Sequence, residues 1–209
     1  MVVSGLCFLG ACGGRGGLPP ELPPRVKGPD GREYLLLDRG PYKGFYDQWG
    51  RLQRLEYDSN KDGKPDYIAH HDGEKSPHLL EVDEDFDGLT DRWEEYDPAG
   101  RLTKVGLSRR HTGSPDLWIT PGPGDLPALK EYDENGDMRV DRRELFRAGL
   151  IVKVEIDSDN NDKIDRWQDW STGRLSSEGL DTNGDGKPDR RVIYGEKGRV
   201  LKLEPISGE

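Results

Sequence analysis

The sequence predicts an all-β protein of about seven antiparallel hairpins, arranged as a meander or a solenoid and joined by Asp- and Asn-rich loops. Three observations predict it. Loops of Asp, Asn and Gly recur with a period of 24–25 residues. The segments between them follow a period of two, as in Leu150, Val152, Val154 and Ile156 against Ile151, Lys153 and Glu155, which makes largely one apolar face, the pattern of a half-buried strand. None of those segments leaves room for ten or more residues with apolar positions at 3.6 spacing, so flanking helices are not expected.

The loops come first because they carry most of the charge. The chain has 209 residues, a net charge of −10 and only 32% hydrophobic residues, against a usual share of roughly 45–50%. That composition approaches the one in which chains stay disordered. It leaves no room for a large apolar core, and the acidic balance argues against a nucleic-acid partner, because phosphate would be repelled. Yet Asp outnumbers Glu 25 to 16, and 17 of the 25 Asp residues and all five Asn residues fall in five windows. A short carboxylate is a poor strand or helix former, and its place is in turns and metal loops.

Those windows begin at Asp58, Asp83, Asp133, Asp157 and Asp181. The first offers Asp58, Asn60, Asp62 and Asp66; the second Asp83, Asp85, Asp87 and Asp91. The third offers Asp133, Asn135, Asp137 and Asp141; the fourth Asp157, Asp159, Asn161 and Asp165; the fifth Asp181, Asn183, Asp185 and Asp189. Residues at positions 1, 3 and 5 of such a loop can converge on one hard cation, and a Gly at position 6 permits the sharp turn. Gly63, Gly88 and Gly186 stand at that position, whereas Met138 and Asp162 replace it in the other two, and the loop from Asp157 is expected to bind most weakly. Ca²⁺ is the expected ion, since it takes six to eight oxygens. Glu94 and Glu144 fall at position 12, where an EF-hand carries its bidentate Glu, and are further candidates. The missing period near residue 108 reads as a sixth copy, Ser108 to Asp116, that has lost its ligands.

The D-x-[DN]-x-D-G-x-x-D pattern resembles the calcium loops between strands in integrin-type propeller repeats more than an EF-hand. The resemblance implies that the position-9 Asp is a direct ligand in all five copies. The hairpins are expected at residues 41–57, 66–82, 91–107, 116–132, 141–156, 165–180 and 189–204, with the Pro121–Pro127 insert bending the array. The segments Tyr46 to Leu52 and Tyr96 to Leu102 resemble the Tyr-Asp repeats of Rhs-type surface proteins, which implies local hairpin geometry only. Trp93, Trp118 and Trp167 recur at one register, read as packing between repeats; an exposed aromatic stripe for sugar rings is the alternative.

Leu9-Gly10-Ala11-Cys12 resembles a bacterial lipobox. This implies a signal peptide over residues 1–12, lipidation of Cys12, a Gly/Pro-rich tether and N-terminal segment over 13–40, and a repeat domain over 41–209. Cys7 and Cys12 are the only cysteines, so the repeat domain has no disulfide to form and bound ions take over the stapling. The expectation is a calcium-binding protein anchored by lipid in the bacterial cell envelope, at the outer membrane, acting as a structural or protein-interaction module with an envelope or surface protein partner. An adhesin or carbohydrate-binding protein is the alternative, and an envelope hydrolase the more distant one. No nucleophile, zinc-helix or phosphate-loop motif is present, so catalysis is not expected. His70 and His71 would point to opposite faces of one strand and are not assigned a metal role. Labelled palmitate is expected to enter the chain produced in bacteria and not its Cys12→Ala variant; equal labelling of both would remove the anchor.

Overall fold

The computed structural model of the chain describes residues 23–28 and 30–206, so Cys12 and the signal segment lie outside the described residues. Sixteen strands form one open antiparallel sheet in which each strand pairs with its neighbours in sequence. They are β1 (Arg25–Lys27), β2 (Glu33–Arg39), β3 (Tyr42–Tyr46), β4 (Leu52–Tyr57), β5 (Tyr67–His70), β6 (Leu79–Val82), β7 (Arg92–Tyr96) and β8 (Leu102–Leu107). There follow β9 (Leu117–Pro121), β10 (Pro127–Tyr132), β11 (Arg142–Arg147), β12 (Leu150–Ile156), β13 (Arg166–Ser171), β14 (Arg174–Leu180), β15 (Arg190–Tyr194) and β16 (Val200–Pro205). The arrangement is the meander rather than the solenoid. The seven expected hairpins are the pairs from β3–β4 to β15–β16, and β1–β2 adds an eighth within the segment 13–40. The Pro121–Pro127 insert is absorbed as a 3₁₀ turn at Pro123–Asp125 and a register shift, without breaking the strand order.

The turns at one end of the sheet are chosen by local chemistry. Ala148-Gly149 and Thr172-Gly173 have both φ values positive, the two-residue hairpin turn whose twist matches the strands. The Tyr-Asp turns work differently. Asp47 accepts the N–H groups of Trp49 and Arg51, each at 2.9 Å, and the Arg51 side chain at 2.7 Å. Asp97 does the same with Ala99 at 2.9 Å, Arg101 N–H at 3.0 Å and the Arg101 side chain at 2.8 Å. Arg51 and Arg101 donate backbone and side chain to the same carboxylate, which explains the Arg that follows Gly50 and Gly100.

With no second layer, each face must find its burial sideways, among neighbours in the same sheet. On one face Glu94, Val105, Ile119, Lys130, Glu144, Val154, Gln168, Glu178 and Val192 stand opposite one another across successive strands. Val154 is 1% exposed there, and Glu144 and Glu178 are buried beside the valines. Buried carboxylates must be paired. Glu144 accepts from Arg142 and from the Tyr132 hydroxyl at 2.9 Å. Glu178 accepts from Arg166 at 2.8 Å, Gln168 at 3.0 Å and Tyr194 at 2.9 Å. Burial, reinforced by the carboxylate partner, pushes Tyr132 and Tyr96 up to about 12.

The other face carries the row Trp93, Gly106, Trp118, Glu131, Arg143, Glu155, Trp167, Gly179. The three tryptophans do share one register, and all are half-buried. Trp118 crosses Gly106 so closely that a Cβ there would stand 2.6 Å from Cζ3, while Lys104 Nζ lies 4.5 Å from a Trp118 ring centroid. The glycine supplies the space that the indole fills.

Burial opposes ionisation of Glu178, but its bonds to Gln168, Tyr194 and Arg166 outweigh it and hold the carboxyl below the usual range. A depressed pKa contributes stability that is present above the unfolded value, near 4.3, and lost as the pH falls through the folded one. Glu178→Gln is therefore expected to cost about 1–2 kcal/mol at pH 7, with the difference from wild type shrinking below about pH 4. Denaturant melts at the two pH values check this, and a pH-independent difference would remove the linkage.

Candidate metal centre

In an antiparallel meander the connections β4–β5, β6–β7, β8–β9, β10–β11, β12–β13 and β14–β15 all leave the same end of the sheet. These six connections are the five Asp-rich loops and the slot 108–116. Neighbouring loops start two strands apart, roughly 9.6 Å.

All six share one backbone path. Position 4 has positive φ in every copy: Lys61, Phe86, His111, Gly136, Asn160 and Gly184. So does position 6: Gly63, Gly88, Gly113, Met138, Asp162 and Gly186. Met138 and Asp162 thus accept the left-handed conformation that Gly takes elsewhere. The slot 108–116 keeps the loop fold even though its carboxylates at positions 1, 3 and 5 are gone.

The side chains explain why the path is the same. In the first loop Asp58 accepts the N–H of Lys61 at 2.6 Å and of Gly63 at 2.9 Å. Asn60 Oδ1 accepts from Asp62 N–H, and Asp62 Oδ1 from Lys64 N–H, both at 2.8 Å. Asp66 accepts the N–H groups of Ser59 at 2.5 Å and Asn60 at 3.2 Å, with the Ser59 hydroxyl as a further donor. The pattern repeats. Asp83, Asp133, Asp157 and Asp181 each accept the position-6 N–H, at 2.7, 3.0, 2.7 and 2.6 Å. Asp87, Asp137 and Asp185 each accept the N–H two residues on, at 2.7, 2.8 and 2.9 Å, and Asn161 does so at 2.9 Å. Asp91, Asp141, Asp165 and Asp189 each accept the position-2 N–H, at 2.8, 2.7, 3.2 and 2.9 Å.

Burial opposes the charge on Asp66, but the Ser59 and Asn60 donors outweigh it, and the carboxyl lies below its usual range. Asp181 is lowered in the same way, against some desolvation, by the N–H groups of Gly186, Gly184 and Asn183. These two carboxylates are therefore held ionised.

The loops then differ in what they gather. Oxygens of Asp83, Asp85 and Asp87 lie within 4.8 Å of one another, as do oxygens of Asp157, Asp159 and Asp165. Asp165 Oδ1 is buried and has no hydrogen-bond partner, and Asp162 is paired with Arg139 of the preceding loop. In the remaining loops position 3 is Asn60, Asn135 or Asn183, an amide in place of one carboxylate. Glu94 and Glu144 do not join any loop. They stand on β7 and β11, where Glu94 is taken by Arg92 and Tyr96 and Glu144 by Arg142 and Tyr132. Position 12 has already entered the strand, so the EF-hand rule does not transfer.

The slot 108–116 places positive charge where its carboxylates are missing. Asp116, 1% exposed, accepts from Arg109 Nε at 2.9 Å and from Arg110 Nε, at position 3, at 2.8 Å. Burial would raise the Asp116 pKa, but the Arg109 and Arg110 contacts hold it below the usual range. Arg110 also donates to the backbone oxygen of Asp133 at 3.2 Å, tying this loop to the next. The loop has lost its ligands, as its sequence predicts, and the paired arginines at positions 2 and 3 are the legible sign of what replaces them.

His111 was not singled out by the sequence, yet its ring lies against Asp85 and Asp91 of the preceding loop. Position 4 of one slot reaches positions 3 and 9 of another only because the two loops stand side by side.

Compared with known protein families and with curated proteins, the chain matches none.

A Cβ added at Gly63 or Gly186 would meet nothing within 4 Å, so substitution there reports on backbone conformation alone. Gly63→Ala and Gly186→Ala are each expected to cost roughly 1–2 kcal/mol, the penalty of a left-handed non-glycine residue. Chemical denaturation of the two variants checks this, and no loss of stability would mean that the loops relax to another path.

Proposed function

We propose that this chain is a calcium-binding structural or protein-interaction module, anchored by lipid in the bacterial cell envelope, and not an enzyme. The observation that carries the reading is the contrast among six loops of one backbone path. Five present carboxylate or amide oxygens at positions 1, 3, 5 and 9; the sixth has Ser108, Arg110 and Thr112 at the first three and puts two guanidinium groups on its position-9 Asp. Concentrated carboxylates repel each other unless a cation offsets them, and the one copy short of ligands carries its own cation. The unpartnered Asp165 Oδ1 and the close oxygens of the loops from Asp83 and Asp157 support the same reading.

The donors would be Asp58, Asn60, Asp62 and Asp66 and their equivalents in the other four loops. Bound Ca²⁺ would supply two positive charges per loop and draw on these oxygens at about 2.3–2.6 Å. Five ions would bring ten charges against a net −10. Glu94 and Glu144 are not part of this set, because their oxygens are already engaged on the sheet. The close packing of Trp118 on Gly106 favours a packing role for the aromatic row over sugar recognition. The lipobox resemblance at Cys12 supports the anchor, and a long sheet whose two edge strands are unpaired among the described residues suits a module that spans or docks.

Native mass spectrometry of the chain is expected to count up to five Ca²⁺ per molecule, and a chelator is expected to lower the melting temperature. No bound Ca²⁺ together with an unchanged melt would overturn the proposal.

A further inference from the structure

His111 differs from the other histidines in what its ring faces. It stands in the slot 108–116 with φ 52°, and its ring reaches the loop before it. Nδ1 lies 3.3 Å from Asp85 Oδ2 and 3.4 Å from Asp91 Oδ1. These separations are long for a charge-assisted hydrogen bond, which runs about 2.7–2.9 Å. His70 shows the short alternative, with Nε2 at 2.5 Å from Glu81 Oε1. His111 instead stands almost evenly between two carboxylates, at ion-pair distance from both and hydrogen-bonded to neither.

Both facing oxygens are unclaimed among the described residues. Asp91 gives its other oxygen to the N–H groups of Glu84 at 2.8 Å and Asp85 at 3.3 Å. Asp85 gives its other oxygen to Asp87 N–H at 3.2 Å. The Asp91 side chain is 12% exposed, so water reaches it poorly. One ligand atom from each of Asp85, Asp91 and His111 falls within 4.8 Å of the others. Two donors bound at 2.0–2.2 Å to a tetrahedral ion stand roughly 3.3–3.6 Å apart, which is the spacing found here on both sides of the imidazole.

We propose that His111, Asp85 and Asp91 form a mixed nitrogen–oxygen centre for a first-row divalent ion of the zinc type, bridging two neighbouring repeats. Imidazole suits Zn²⁺ and its neighbours in the series, whereas Ca²⁺ prefers oxygen alone. The proposal rests on the metal-loop reading and gives the loop 83–91 a second occupant: Asp85 and Asp91, ligands in the five-ion Ca²⁺ count, turn to a zinc-type ion where one is offered, and that ion replaces the Ca²⁺ of this loop. His111 is the only residue of the three that belongs to a different loop, so its removal separates this centre from the all-oxygen set. The ion would clamp the loop 83–91 to the slot 108–116, which has no carboxylates of its own at positions 1, 3 and 5 to contribute.

The test uses the full chain stripped of metal by a chelator, with Zn²⁺ titrated calorimetrically and Co²⁺ as the optical probe. Wild type is expected to bind one Zn²⁺ that His111→Ala and His111→Asn hold about tenfold or more weaker, and to give visible four-coordinate Co²⁺ absorption that both variants lose. Asn tolerates the left-handed backbone, so His111→Asn keeps the loop if His111→Ala does not, and metal-free melts verify that both are folded. Equal Zn²⁺ affinity in wild type and His111→Asn, or no Zn²⁺ binding to wild type, would overturn the proposal. Native mass spectrometry with Ca²⁺ on the same proteins separates the two readings. A full Ca²⁺ count without the His111-dependent Zn²⁺ site sinks this centre alone, and the reverse result sinks the calcium reading alone.

Discussion

The sheet depends on one residue type at one place, the Asp at the ninth position of each loop. Its backbone N–H closes the loop onto the residue before position 1, as in Asp66 to Tyr57 at 2.9 Å and Asp141 to Tyr132 at 2.8 Å. Its carboxylate gathers the N–H at position 2 in every copy and also the one at position 3 in three of them, as Asp66 does with Ser59 and Asn60. Its carbonyl receives the first N–H of the following loop, as Asp66 does from Asp83 and Asp165 from Asp181. Three bonds from one residue close a loop, shape it and hook it to its neighbour. The slot 108–116 keeps Asp116, its two backbone bonds to Leu107 and Asp133 and the position-2 N–H of Arg109, with the Arg110 side chain in place of the position-3 N–H, which is why it keeps the path without the other carboxylates.

That arrangement sets the character of the interior. Apolar burial in a single sheet is limited to what strands can hide from each other sideways, and Phe45, Val82, Leu117, Val154 and Val192 are its buried apolar members. Asp66, Asp83, Asp116, Asp133, Asp141 and Asp157 are as well hidden, and they line one end of the sheet. Buried carboxylate is costly unless every oxygen is answered. Backbone N–H groups answer most of them, guanidinium answers Asp116, Arg142 of its own strand and Tyr132 of the next answer Glu144, and Arg166 and Tyr194 from the adjacent strands answer Glu178. A low-hydrophobicity chain can therefore be ordered, provided its polar groups are satisfied by design of the repeat.

Much of this was legible in the chain. The 24–25-residue spacing located all six connections, and the alternation in segments such as Leu150 to Ile156 located the strands. What the spacing could not show was which residues share a face of which loop. Position 12 was read as a ligand because the numbering matched an EF-hand, yet Glu94 and Glu144 had already turned into the sheet. The requirement for positive φ at position 4 was hidden because Lys61, Phe86 and His111 meet it without glycine. The stretch Arg25 to Arg39 was read with the tether because its strands carry no Asp loop to mark them.

The sequence by itself determined the class and the repeat: local chemistry, period two in the strands and turn-forming Asp, Asn and Gly between them, is written residue by residue. Only the tertiary structure decided that the hairpins lie side by side in one open sheet rather than wind into a solenoid. It also decided the meeting of His111 with Asp85 and Asp91, and of Arg110 with Asp116 and Asp133. Such meetings depend on the distance between neighbouring connections and on the direction in which each side chain leaves a left-handed backbone. Neither quantity is carried by the order of residues along the chain.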